Sequence, residues 1–242
     1  METKPERPMS GRTVLITGGT AGIGKATALG LARLGAQVAI TGRDRGRAED
    51  AVREIRAAAG GRVTAFVADL SSQAEVRRLA GEALLALPRI DVLVNNVGGY
   101  WNTRHLTADG LERTFALNHL APFLLTNLLL DRLRRSGPAR VVTVSSNAQA
   151  MGRIRFVNTS FGGEDPAGAQ RLLIPLLRPF MKTPAAGAAA SIQVASAPGL
   201  AGSTGQFFAG GRPRPSSPRS YDEATASRLW RESAHLVGLG AD

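Results

Sequence analysis

Hydrophobic positions along the first 146 residues follow two alternating periods. Thr13 to Ile16 is a short β-branched run, and Ile23, Thr27, Leu31 and Leu34 then recur at helical spacing until Gly35. A strand followed by a helix is the pattern this predicts. Gln37 to Thr41 and Val63 to Ala68 read as further strands, separated by a charged helix from Arg47 to Ala59 that Gly60-Gly61 breaks. Ser72 and Glu75 have capping-box spacing for a helix that ends near Leu87-Pro88. Ile90 to Asn95 is a continuous apolar run, as expected of a strand buried on both faces. Two helices, near Asp109 to Leu120 and Pro122 to Arg135, precede the strand Arg140 to Ser146. Strands alternating with helices at this spacing predict βαβ units, right-handed crossovers and a parallel sheet covered on both faces.

After Ser146 the alternation fails. Met151 to Phe161 shows no helical period, and Pro166 to Phe180 is leucine-rich but interrupted by Pro175 and Pro179. Thr183-Pro184 is a cap and first-turn pair for a helix to Ala195. Gln206 to Ala209 reads as a last strand, 211–219 as a proline- and serine-rich loop, and Ser220 with Glu223 as the cap of a final helix that Gly238 ends.

A length of 242 residues suits one α/β domain, 1–242, with a loose tail over 1–10. No cysteine is present, which excludes disulfides and thiolate chemistry and fits a reducing cytoplasm. The apolar stretch from Leu120 to Leu130 is far shorter than the roughly 20 residues of a membrane span, so a cytoplasmic protein without one is expected. The net charge of +11 raises the question of nucleic acid. The basic residues are dispersed in sequence, however, and no nucleic-acid partner is expected. Arg43, Arg45 and Arg47 form a tight cluster among them.

The chemistry lies in the turn after the first strand, Thr17-Gly18-Gly19-Thr20-Ala21-Gly22-Ile23-Gly24. Glycines at 18 and 22 allow a tight turn and let a pyrophosphate approach bare backbone. Gly24 allows the helix to pack closely, and free N–H groups at the helix start hold the phosphates. After the second strand a carboxylate would grip the ribose 2′-hydroxyl of NAD(H), but Gly42-Arg43 stands there. Arg43 suits the 2′-phosphate of NADP(H).

Together with Asn95-Asn96-Val97-Gly98, Asn118 and Ser145-Ser146, this turn resembles the short-chain dehydrogenase/reductase family. His105 to Glu112, Asn118-His119-Leu120 and Lys182 to Gly187 are similar to its retinol-dehydrogenase-like branch. The resemblance implies a Rossmann-type doubly wound, three-layer αβα fold and hydride transfer between NADP(H) and an alcohol or carbonyl on a lipophilic small molecule. It implies contacts to the cofactor from Thr17, Asp69, Leu70, Asn95, Gly98 and Thr159, besides the glycine turn and Arg43. Asp69 would meet the adenine amine and Thr159 the nicotinamide amide. Asn118 would hold a water of the proton relay, and Ser146 would bond the substrate oxygen. Val97 departs mildly from the family's alanine.

The family's proton donor is a tyrosine with a lysine four residues on. The only tyrosines, Tyr100 and Tyr221, are followed at that distance by Arg104 and Thr225. Gly152 to Phe156 resembles the segment before the tyrosine, and Val157 to Gly162 the segment after the sixth strand. A helix–strand unit of roughly 40 residues is therefore expected to be absent between Phe156 and Val157. Its loss would remove half of the helix pair used for dimerisation and bare an apolar face of the helix from Pro122 to Arg135. Gln206 to Ala209 would then pair with Arg140 to Ser146 or fray. The rival readings are a cofactor-binding sensor or interaction protein without turnover and a non-functional deletion product.

Overall fold

The computed structural model describes residues 7–99, 101, 103–146, 154, 156 and 183–240. Thr159, Tyr100, Lys182, the junction at Val157 and the leucine-rich stretch from Pro166 to Phe180 lie outside the described residues. Five parallel strands form the sheet: β1 (Thr13–Ile16), β2 (Gln37–Gly42), β3 (Val63–Val67), β4 (Val92–Asn95) and β5 (Arg140–Thr143). Their order is β3-β2-β1-β4-β5. The chain winds outward from β1 to β3 and then returns to the other side of β1. The strand order thus reverses between β1 and β4, where a crevice opens at the carboxyl ends of the strands.

Helices α1 (Gly22–Arg33) and α2 (Arg45–Ala59) cover one face, and α3 (Gln73–Ala86) and α4 (Ala121–Arg135) cover the other. The strands present alternate residues to the two layers. Val14, Ile16, Val92 and Val94 pack beneath α1 and α2, while Leu15 and Leu93 pack beneath α3 and α4. Helix α5 (Pro184–Ser196), capped by Thr183 Oγ1, joins the α1 layer. Their contact is close enough that a Cβ on Gly30 would sit 2.3 Å from Ile192 Cδ1. Helix α6 (Glu223–Leu236) meets α3 through Gln73 Nε2, which donates to the Leu236 carbonyl at 2.9 Å. Among the described residues no helix is long and apolar enough to cross a membrane.

Several elements differ from the sequence reading. Residues 7–10 are not a loose tail: Met9 is buried, and its N–H bonds the Leu34 carbonyl at 2.9 Å. Asp109 starts no helix, because its carboxylate accepts from Gln73 N. Glu112 instead caps the run that begins at Arg113, accepting from Thr114 and Phe115 N. That run does not break before Pro122. A π turn, Ala116–Leu120, carries it straight into α4. Pro122 has no N–H for a carbonyl four residues back, and the wider turn accommodates it. The final helix is capped by Asp222, not Ser220, whose hydroxyl bonds the Ser217 carbonyl.

The last strand also pairs differently. β6 (Phe207–Ala209) neither joins β5 nor frays, but forms an antiparallel hairpin with β7 (Arg212–Arg214), inside the stretch expected to be loop. Gly210 and Gly211 carry positive φ at both central positions, the geometry of a two-residue hairpin, so the nearest partner wins. Gln193 Nε2 ties this hairpin to α5 through the Gly211 carbonyl at 3.0 Å.

The basic residues, dispersed in sequence, gather in space. A parallel sheet brings every strand start and every flanking helix end to one edge. Arg12, Arg62, Arg89 and Arg140 stand at strand starts, and Arg33, Arg56, Arg134 and Arg135 at helix ends.

Candidate functional site

The crevice between β1 and β4 holds a cavity of about 440 Å³. Its floor is built by the turn after β1. Thr17 is buried, and its Oγ1 accepts from Asn96 N at 2.9 Å and Val97 N at 3.0 Å, fastening that turn to the one after β4. Asn96 Nδ2 completes the joint by donating to the Thr17 carbonyl at 2.8 Å. Gly22 has φ +56 and needs glycine for its conformation. Gly24 needs it for space, since a Cβ there would lie 2.2 Å from the Gly18 carbonyl oxygen and 2.5 Å from Asn96 Nδ2. Close approach to the turn, more than to the sheet, is what Gly24 permits. Gly24→Ala is expected to cost about 1 to 3 kcal/mol of stability, the usual price of overpacking, and to lower dinucleotide affinity at least tenfold, read by thermal melting and calorimetric titration.

The start of α1 is the clearest sign of an anion site. Asp44, Ser72, Thr183 and Asp222 each cap a helix with a side-chain oxygen, whereas Ala21 at the start of α1 supplies none. The N–H groups of the first turn therefore face the cavity without a side-chain acceptor, at the positive end of the helix dipole. These residues fit the phosphates of a dinucleotide.

Gly18, Thr20, Ala21, Gly22, Ile23, Gly24, Arg43, Leu70 and Gly98 of the sequence-predicted set line the cavity. Thr17, Asp69, Asn95, Asn118 and Ser146 do not. Asp69 Oδ1 accepts from Ser71 N at 3.0 Å and Ser71 Oγ at 2.8 Å, while its neighbours Ala68 and Leu70 reach the cavity. Asn95 turns toward α4, where its Nδ2 donates to Thr126 Oγ1 at 3.1 Å. Asn96 lines the cavity in its stead. Asn118 sits on the π turn and grips Gly99 twice, accepting from its N–H at 2.9 Å and donating to its carbonyl at 2.8 Å. Ser146 is exposed, two residues beyond Val144 in the cavity wall.

Sequence reasoning missed Trp101, Leu117 and Val144. Trp101 rests against Gly99, with the Arg113 guanidinium carbon 4.6 Å from its ring centroid. The signal was positional: an aromatic just past a strand end beside the reversal of strand order stands at the crevice rim. Behind this wall, the His119 imidazole stacks at 5.0 Å on Phe115 and lies 2.8 Å from Ser233 Oγ. Burial pushes its pKa below the usual histidine value. The Ser233 hydroxyl already donates to the Leu229 carbonyl, so Nε2 of neutral His119 carries the hydrogen and donates to it.

A doubly wound sheet, a glycine turn and an uncapped helix start at the strand-order reversal define a dinucleotide-binding fold. The profile of the short chain dehydrogenase family matches residues 12–159. Human retinol dehydrogenase 14 is 37% identical over 294 positions, covering 96% of this chain and 88% of the relative. Bovine retinol dehydrogenase 12 is 35% identical over 275, covering 95% and 87%. A solved structure from Mycobacterium paratuberculosis superposes with a TM-score of 0.71 at 30% identity, covering 96% of each chain. A metagenomic short-chain oxidoreductase, solved in complex with NADP, gives 0.61 at 26% identity over 78% of this chain and 92% of that one. The chain belongs to the short-chain dehydrogenase/reductase family, in its retinol-dehydrogenase-like branch, and its cofactor is a nicotinamide dinucleotide. The 294-position alignment exceeds the chain's own 242 residues, so positions of the relative fall opposite gaps here.

Proposed function

We propose that this chain binds NADP(H) in preference to NAD(H) and transfers hydride slowly between it and an alcohol or carbonyl on a lipophilic small molecule. The carrying observation is the end of β2. A Cβ on Gly42 would lie 2.4 Å from Thr20 Cγ2, so no carboxylate fits there unless Thr20 moves. Arg43 lines the cavity next to it. Its guanidinium would pair with the 2′-phosphate, and the α1 start with the pyrophosphate. Bound cofactor supplies the hydride. The chain's own residues bind and orient it, and the Gly99–Asn118 clamp holds the Trp101 loop beside the reacting end. Thr159 and Ser146 keep the roles that the family resemblance implies.

A helix–strand unit with the tyrosine and lysine is absent between Phe156 and Val157 in this reading. It is supported by an alignment longer than the chain and by a family match that ends at 159. Turnover is correspondingly weak. A cofactor-binding sensor with no turnover is the second reading, favoured by the lack of any Tyr-x-x-x-Lys in the sequence.

Calorimetric titration of wild type and Arg43→Ala with NADPH and NADH tests the assignment. A charge-assisted pair contributes about 1.5 to 3 kcal/mol, so NADPH should bind roughly ten- to a hundredfold more tightly and lose that margin in Arg43→Ala. Equal affinities in wild type, or an unaltered ratio in the variant, would refute it.

A further inference from the structure

The edge of the sheet opposite the cavity carries a plate of positive charge that the dinucleotide site does not use. It spans five strand ends, about 20 Å across at the usual strand spacing. Part of this charge completes the fold. Arg140 donates to the Val194 and Ala197 carbonyls at the end of α5, and Arg89 to the Ser136 carbonyl at the end of α4. Arg132 bonds the Leu87 carbonyl and Arg56 the Val63 carbonyl. These bonds tie the guanidinium groups to carbonyls of their own chain.

The rest of the charge has no counterpart. Among the described residues Arg33, Arg62, Arg134 and Arg135 form no ion pair. Asp91, the carboxylate inside the plate, is buried and already shared by Arg12 and Arg89. Asp131 is the exposed carboxylate near the end of α4. The hairpin on the end of α5 extends the plate with exposed Arg212 and Arg214 and half-buried Phe207 and Phe208. On the other side Leu85, in the last turn of α3, is 90% exposed. Cationic groups flanked by a bare leucine form the pattern of an interfacial membrane contact.

We propose that this edge docks on an anionic phospholipid bilayer, leaving the dinucleotide cavity open on the side away from the lipid. A polynucleotide is the less suited polyanion. Base readout needs donors free to reach base edges in a groove, whereas here several guanidinium groups are already bonded to their own chain's carbonyls. An exposed leucine gains nothing from phosphodiesters but is buried among acyl chains.

Co-sedimentation with phosphatidylcholine vesicles, with and without about a third phosphatidylserine, tests this. Wild type should sediment with the anionic vesicles only and be released as salt is raised to about 0.5 M. Arg134→Glu/Arg135→Glu should lower the partition coefficient at least tenfold, each charge near an anionic leaflet being worth roughly fivefold. Its thermal melt should match wild type. If charge reversal unfolds the chain, Arg134→Gln/Arg135→Gln replaces it, with a smaller expected loss. Leu85→Ser should weaken anionic-vesicle binding while leaving its salt dependence. Equal sedimentation with both vesicle types, undiminished binding by a folded double variant, or tighter binding to an oligonucleotide duplex than to the anionic vesicles would overturn the proposal.

Discussion

Carbonyl reduction by this chain is expected to run about 10²- to 10⁴-fold slower than in relatives that keep the tyrosine and lysine, because a positioned proton donor contributes that much. Neither tyrosine has the donor's lysine four residues on. Tyr221 lies beyond the hairpin, 60% exposed, and its hydroxyl oxygen accepts from Ser216 N at 2.9 Å. Tyr100 is followed by Arg104, not lysine, at the fourth position. The Asn118 side-chain amide is clamped to Gly99 at both ends, and its remaining N–H carries no titratable proton to give to a carbonyl. Binding and chemistry should therefore separate, with NADPH affinity retained and kcat low. Steady-state assays over aliphatic and retinoid aldehydes, beside a full-length retinol dehydrogenase, measure the gap. Turnover equal to the relative's would sink the expectation, and abolition of such turnover by Tyr100→Phe would identify the replacement acid.

The strands β1 to β5 and their helices were legible because each rests on local pattern and short capping signals that no distant contact overrides. Thr13–Ile16 and Thr183 at the cap of α5 are examples. What stayed hidden depended on partners distant in sequence. Asp109 looks like a helix start until Gln73 takes its carboxylate. Gln206 to Ala209 looks like a strand in search of a sheet, yet a two-glycine turn gives it a neighbour three residues away. The glycine turn identified the cofactor site, since φ and close approach leave their mark in composition. The orientation of Asn95 toward α4, with Asn96 toward the cavity, turns on a hydrogen bond to Thr126, which adjacent asparagines in a sequence cannot reveal. Clustering of the arginines was equally invisible along the chain, because only the parallel topology collects them.

Removing the carboxylate of Asp91 should destabilise the chain by about 2 to 4 kcal/mol. This is less than the roughly 3 to 5 of a fully buried pair, because both guanidinium partners reach water. Asp91 is 2% exposed, against 39% for Arg12 and 46% for Arg89. It accepts from Arg12 Nη1 and Thr13 N at 2.8 Å each, and from Arg89 through two nitrogens. Its backbone bonds Thr13 on one side and Arg140 on the other, so one residue ties together the starts of β1, β4 and β5. Asp91→Ala would leave the Thr13 N–H buried without an acceptor and place repelling cations beside one another. Burial pushes the carboxyl pKa up, but the Arg89 bond, the Thr13 N–H and Arg12 outweigh it and hold it below the ordinary 3.8. A carboxyl depressed in the folded state stabilises above its unfolded value, and that contribution is lost as pH falls through the folded one. Urea denaturation of wild type and Asp91→Asn should thus differ at pH 7 and converge as the pH drops below 3.8. A gap that persists unchanged into acid would mean that Asp91 acts through packing and not through its charge.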